Sequence, residues 1–109
     1  MNDDGSFADC NEPDAPVPDG ALVRTLPIIN RKGLHARATA KFVQCAEEFD
    51  AQITVSRCGE TVGGDSIMGI LMLGAGIGTS ITVTASGAQA KEALDALDVL
   101  VANRFGEDE

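Results

Sequence analysis

The sequence predicts an α+β open-faced β-sandwich: a four-stranded antiparallel sheet with three helices on one face. Three observations carry this. Four short segments alternate polar and apolar residues, which gives each strand one face for a core and one for solvent. Three other segments show helical spacing. The order along the chain is strand, helix, strand, strand, helix, strand, helix, so one layer of helices can cover one layer of sheet. The length of 109 residues allows a single small domain with one modest core.

Residues 1–20 read as a disordered acidic N-terminal tail. They hold Asp3, Asp4, Asp9, Glu12, Asp14 and Asp19, no basic residue, and Pro13, Pro16 and Pro18. Solubility is the default role of such a tail, and partner binding the minority one. The folded domain is expected over residues 21–106, followed by an acidic end at 107–109. Leu22–Ile29 reads as a strand, with Leu22, Leu26 and Ile28 on one face. Pro27 lacks an N–H and places that strand at a sheet edge. A turn at Asn30–Gly33 leads into a helix that ends near Asp50, with Phe42, Val43, Ala46 and Phe49 on its apolar side.

Ile53–Ser56 and Thr61–Val62 alternate around Arg57–Glu60, where Gly59 suits a hairpin turn. Ser66 is a natural N-cap for the short apolar segment Ile67–Leu73, whose length and cap favour a helix over a strand. That segment carries more apolar surface than one side of two turns can bury. Met68 and Met72 are therefore either exposed for adaptable protein contacts or fully packed. Gly74, Gly76 and Gly78 match ordinary turn chemistry better than a phosphate cradle. Ile81–Ala85 alternates again. Ala90–Phe105 closes the chain as a helix, with Ala93, Leu94, Leu97, Leu100, Val101 and Phe105 on one face and Arg104 near its negative end.

Charge and composition exclude several functions. No G-x-x-x-x-G-K-[ST] run is present, so a P-loop nucleotide enzyme is out. The formal charge of −9 and the lack of Trp and Tyr argue against a nucleic-acid binder. No apolar stretch is long enough for membrane insertion, and the N-terminus has no signal-peptide pattern. Cys10, Cys45 and Cys58 make an odd count without metal-ligand spacing. Free thiols in a cytoplasmic protein are the plain expectation, with redox sensing by Cys58 as the weaker one. No metal or cofactor is expected. The acidic excess lies in the tails, whereas Arg24, Arg31, Lys32, Arg37 and Lys41 fall before position 42. A basic patch beside His35, suited to phosphate or to an acidic protein surface, is expected from that clustering.

His35 is the single histidine of the chain. It follows a glycine turn and precedes a helix, which puts it at the N-cap or first turn, among N–H groups without intrahelical partners. The positive helix end and Arg37 disfavour imidazolium, so a ring that titrates near ~6.5 when free should be largely neutral at pH 7. A neutral ring nitrogen is a nucleophile. A phosphoryl group placed on it would meet open N–H groups and an arginine. By spacing and charge alone, a surface cap remains the commoner role for such a histidine.

Gly33-Leu34-His35-Ala36-Arg37, Phe42-Val43, Ser66-Ile67-Met68-Gly69, Leu73-Gly74 and Ala85-Ser86-Gly87 together resemble the HPr family over residues 21–106. These are histidine-containing phosphocarriers of the bacterial phosphoenolpyruvate-dependent phosphotransferase system. The resemblance implies the open-faced fold and a relay rather than a stand-alone catalyst. His35 matches the residue that accepts a phosphoryl group on Nδ1 from phospho-enzyme I and passes it to IIA-type proteins. Arg37 matches the arginine that steadies the phosphate. Ser66 matches a serine that HPr kinase/phosphorylase modifies in some bacteria. Lys41, Ile67 and Met68 match the partner-binding surface, and a monomer suits a site that meets several partners. Many relatives have proline where Ala38 stands, which leans the reading toward a regulatory or nitrogen-related branch. Asp65, where many have lysine, would oppose a phosphate on Ser66. The alternative function is a regulatory protein-binding module controlled by the states of Ser66 and His35.

Overall fold

The computed structural model describes residues 20–107. The expected acidic tail falls, but for its last residue, outside that range. The strands are β1 (Leu22–Pro27), β2 (Gln52–Arg57), β3 (Glu60–Gly63) and β4 (Ser80–Ser86). The helices are α1 (Ala36–Glu47), α2 (Ile67–Met72) and α3 (Ala90–Ala102). They follow the predicted order. The sheet runs β1-β4-β2-β3 with every neighbouring pair antiparallel. β1 is an edge strand, so the missing N–H of Pro27 costs no ladder bond in the sheet interior.

Alternation on the central strand sets the layering. Ile81, Val83 and Ala85 of β4 are fully buried, while Thr82 and Thr84 point to the other face. α3 packs on β1 and β4, and α1 packs against both α2 and α3. The core between the layers joins Leu26, Phe42, Val55, Ile70, Leu94, Leu97 and Val101 to the β4 stripe. Arg57↔Glu60 is the last ladder pair of the β2–β3 hairpin. Cys58 and Gly59 between them have φ of 58° and 82°, the two positive values of a tight primed turn that follows the strand twist.

Four expectations need correction. Leu22 shares the period of Leu26 but is 44% exposed, at the first position of β1. The last helix stops at Ala102. Arg104, Phe105 and Gly106 then turn back with φ of 56°, 55° and 79°, which keeps Phe105 in the core and takes Arg104 off the helix end. Arg24 does not join a patch with His35. Its guanidinium pairs with Asp95 at 2.8 Å and Asp98 at 3.5 Å on α3. Cys58 is disulfide-bonded, so it is not a free thiol. Cys45 is free, and burial, then the nearby Glu48 charge, pushes its thiol up. Among the described residues no helix is long and apolar enough to cross a membrane.

Candidate functional site

Two loops frame the site. Residues 28–34 run beside residues 75–79, tied by Ile28 N–H to Thr79 O at 2.8 Å and Leu34 N–H to Ala75 O at 2.9 Å. The first loop turns at Gly33, whose φ is +65° and whose N–H reaches Asn30 O at 3.1 Å. Leu34 is buried, and the next residue, His35, is left half-buried at the start of α1.

His35 is the N-cap of α1, as the sequence predicts. Its backbone is extended, and its carbonyl accepts the first helical bond from Thr39 N–H at 2.8 Å. Its ring stands in for the usual Ser or Asp cap: the Arg37 backbone N–H donates to Nδ1 at 3.3 Å. Nδ1 therefore presents a lone pair at the positive end of a 12-residue helix. The Arg37 side chain is exposed, and among the described residues it has no carboxylate partner. Ala38 is fully buried beneath this turn and continues the helix without proline.

The far side of the ring holds a residue that sequence reasoning assigned only to an acidic end. Glu107 Oε2 lies 2.5 Å from His35 Nε2. The other carboxylate oxygen, Oε1, accepts from Asn30 Nδ2 at 3.1 Å. Asn30 is completely buried and also donates to Gly33 O at 2.8 Å, while its Oδ1 has no partner among the described residues. Lys41 Nζ donates to Phe105 O at 2.7 Å, so the basic side chain expected to meet partners also fastens the C-terminal turn that delivers Glu107. No local pattern marks this contact: Glu107 follows His35 by 72 residues.

The His35 bond, aided by Asn30 and the Lys32 charge and opposed by burial, holds the Glu107 carboxyl below the ordinary carboxylate range. The sign follows. A carboxyl whose folded value lies below its unfolded one stabilises the fold at pH above about 4.3, and that contribution is lost as pH falls through the folded value. A carboxyl-carbon NMR titration of Glu107 should show a midpoint below ~4.3. A midpoint at or above that value would mean that the clamp on His35 is not made in solution.

Ser66 caps α2 through Gly69 N–H to Oγ at 3.0 Å, with exposed Asp65 beside it. Ile67, Met68, Met72 and Ile77 are exposed at 41%, 69%, 76% and 58%, which decides the methionine question in favour of an open apolar surface. The site contains no group of three or more potential metal ligands among the described residues.

The sequence matches the family model described as "PTS HPr component phosphorylation site" over residues 22–103. It is 52% identical over 88 residues to phosphocarrier protein HPr of Cupriavidus necator, covering 81% of this chain and 99% of that protein. It is 43% identical over 86 residues to phosphocarrier protein NPr of Shewanella violacea, covering 79% of this chain and 94% of that one. The fold superposes with a TM-score of 0.77 on the crystal structure of HPr-C-His from Thermoanaerobacter tengcongensis, at 41% identity, over 81% of this chain and 99% of that chain. With fold, N-capping histidine and sequence in agreement, the chain belongs to the HPr family and is a phosphocarrier of the phosphotransferase system.

Proposed function

We propose that His35 is the phosphoryl acceptor and that Nδ1 is the atom modified. The observation that carries this is the position of Nδ1 at the α1 N-terminus, accepting from the Arg37 N–H. Phosphoryl transfer depends on positioning and charge stabilisation. As the Nδ1 lone pair forms the new P–N bond, the bond from phosphorus to the donor atom of phospho-enzyme I breaks. The donor atom keeps that electron pair. The incoming oxygens take over the N–H groups of the helix start, and the exposed Arg37 guanidinium supplies a charged donor. One arginine and a helix end bind phosphate firmly enough to hold it and loosely enough to release it.

The docking surface in this proposal is Ile67 and Met68 on α2, with Lys41 beside the C-terminal turn. Family membership implies enzyme I and IIA-type proteins as partners. An exposed apolar patch near basic groups can serve them in turn. We place the protein in the cytoplasm as a monomer, with residues 1–20 as an acidic solubilising segment and 21–106 as the carrier domain. Ser66 is a second modification site in this proposal, where HPr kinase/phosphorylase would act and where the α2 N–H groups favour a phosphate and Asp65 opposes it. The NPr relative supports a nitrogen-related branch as the second reading of the physiological role.

The test is intact-protein mass after incubation with enzyme I, Mg²⁺ and phosphoenolpyruvate, followed by fragmentation under alkaline conditions. One acid-labile phosphoryl group on His35 is expected. A group mapped to any other residue, or no gain with the enzyme I of the same organism, would overturn the assignment.

A further inference from the structure

We infer that the sheet face opposite the helices is a docking surface for residues 11–19 of this chain, strapped there by a disulfide between Cys10 and Cys58, and that the strap brings the acids around Cys10 to the partner-docking end, where they compete with acidic partners. The competition rests on the docking surface proposed above. The cysteine count fixes the pair. The chain has three cysteines, Cys58 is disulfide-bonded and Cys45 is free. Within one chain that leaves Cys10 for Cys58.

The strand register says where such a bond takes the chain. Leu22 opens β1 opposite Ala85, and Ala85 lies opposite Ile53 of β2. Cys58 lies beyond Arg57, in the turn at the other end of the sheet. The rise along β2 and two strand spacings put about 20 Å between Leu22 and Cys58. The twelve peptide steps from Cys10 to Leu22 reach at most about 40 Å. Helices cover one face of the sheet, so the short route runs diagonally over the other.

That face suits the strap. Thr25, Thr82, Ser56 and Thr61 stand in register across all four strands. Pro13, Pro16 and Pro18 keep the segment extended and remove N–H donors from it. It therefore offers an excess of carbonyl acceptors, to which a face of hydroxyl donors is complementary. The same prolines keep it from pairing as a further strand at the sheet edge.

The far end of the strap gives it a consequence. Pro27 and Ser80 pair at the end of the sheet that also holds the Cys58 turn, so residues 28–34 and 75–79 lie at that end. Arg57 Nη1 donates to Leu73 O at 2.9 Å, next to Met72 at the close of α2. A Cys10–Cys58 bond here delivers Asp9, Glu12 and Asp14 beside the apolar patch, opposite in charge to Lys32 and Arg37. A tether of this length holds them at millimolar effective concentration, enough to populate a weak contact. The bond is reversible. A dithiol reductant delivers two electrons and two protons, yields the Cys10 and Cys58 thiols and becomes a disulfide itself. In a cytoplasmic protein a disulfide is of this transient, redox-sensing kind. Cys45, its thiol pushed up by burial, has less thiolate with which to exchange into the bond.

The oxidised full chain, digested without reductant after thiol alkylation, should give one peptide pair joining Cys10 to Cys58, with Cys45 alkylated. A pair that joins two chains, or one that includes Cys45, would overturn the inference. On reduction, the NMR methyl shifts of Thr25, Thr82 and Thr61 should move, and unchanged shifts would remove the strap from that face. In acceptance from phospho-enzyme I, the oxidised wild type should show a KM about threefold above that of Cys10→Ser, with kcat within about twofold. The difference should vanish at high ionic strength, which screens exposed charges. It should also vanish in a variant carrying Asp9→Asn, Glu12→Gln and Asp14→Asn that keeps both cysteines. Equal KM in oxidised wild type and Cys10→Ser would overturn the competition. Met68→Asp separates the two readings. If it impairs acceptance while the two forms share one KM, only this inference fails. If it accepts like the wild type, the docking surface fails and this inference with it.

Discussion

The His35→Ala protein is expected to take up no phosphoryl group and yet to stay folded. The two halves of this expectation have separate physical grounds. Labelling is lost because no other imidazole exists in the chain, and no other side chain at the α1 start carries a nitrogen lone pair. The fold survives because the ring is half-buried at the surface, while the core stripe of Leu26, Phe42, Ile81, Val83 and Leu97 does not include it. The stability cost comes from the cap. Alanine cannot accept from the Arg37 N–H, and losing a side-chain N-cap costs about 1 kcal/mol. In a domain of this size that lowers the melting temperature by roughly 4–8 °C. Glu107 also loses its ring partner but keeps Asn30. Intact mass and a thermal melt on the same sample check both halves. A labelled mutant would remove His35 from the relay. A mutant that is unlabelled because it is unfolded would show that the ring holds the core together, contrary to its placement.

Sheet and helices were legible because their signals are local. Alternation in Ile81–Ala85 needs only neighbouring residues to show which side chains share a face, and burial follows it without exception on β4. The N-caps His35 and Ser66 were legible for the same reason: a capping side chain sits within three residues of the N–H it serves. What failed depends on distant parts of the chain. Leu22 has the right period, but period alone does not bury a residue at the first position of a strand. Arg24 belongs by sequence to the basic cluster, yet β1 lies under α3 and offers it Asp95 and Asp98. Glu107 reads as one acid among three at a charged end. Its role comes from the left-handed turn at Arg104 and Phe105, where neither residue is glycine; Asn103 and Gly106 signal that the helix ends there but not where the chain goes next. Asn30 stands in the turn that leads to His35, but its bond to Glu107 follows only from the C-terminal turn.

Gly33→Ala should cost both stability and acceptance, because the geometry of the loop that delivers His35 has no room for a methyl group. Two terms add. Gly33 has φ of +65°, a conformation that is strained for alanine. A Cβ at this position would also lie 2.7 Å from both Ala75 O and Gly76 Cα. Both are backbone atoms, so no side-chain rotation relieves the contact. Ala75 O is moreover the acceptor for Leu34 N–H, the bond that joins the two loops of the site. Separating the loops enough to admit the methyl group stretches that bond and shifts the Asn30 contact to Gly33 O. Strain and overpacking together are worth about 2–4 kcal/mol, a loss of more than about 10 °C in melting temperature. Gly76→Ala is the control. A Cβ there meets nothing within 4 Å, and the backbone conformation is ordinary, so the change should stay within about 1 kcal/mol. Acceptance from phospho-enzyme I, measured well below the mutant's melting range, should fall in Gly33→Ala and hold in Gly76→Ala, because only the first displaces the start of α1. If Gly33→Ala melts and accepts like the wild type, the two loops are not in contact as described. The placement of His35 would then need another cause.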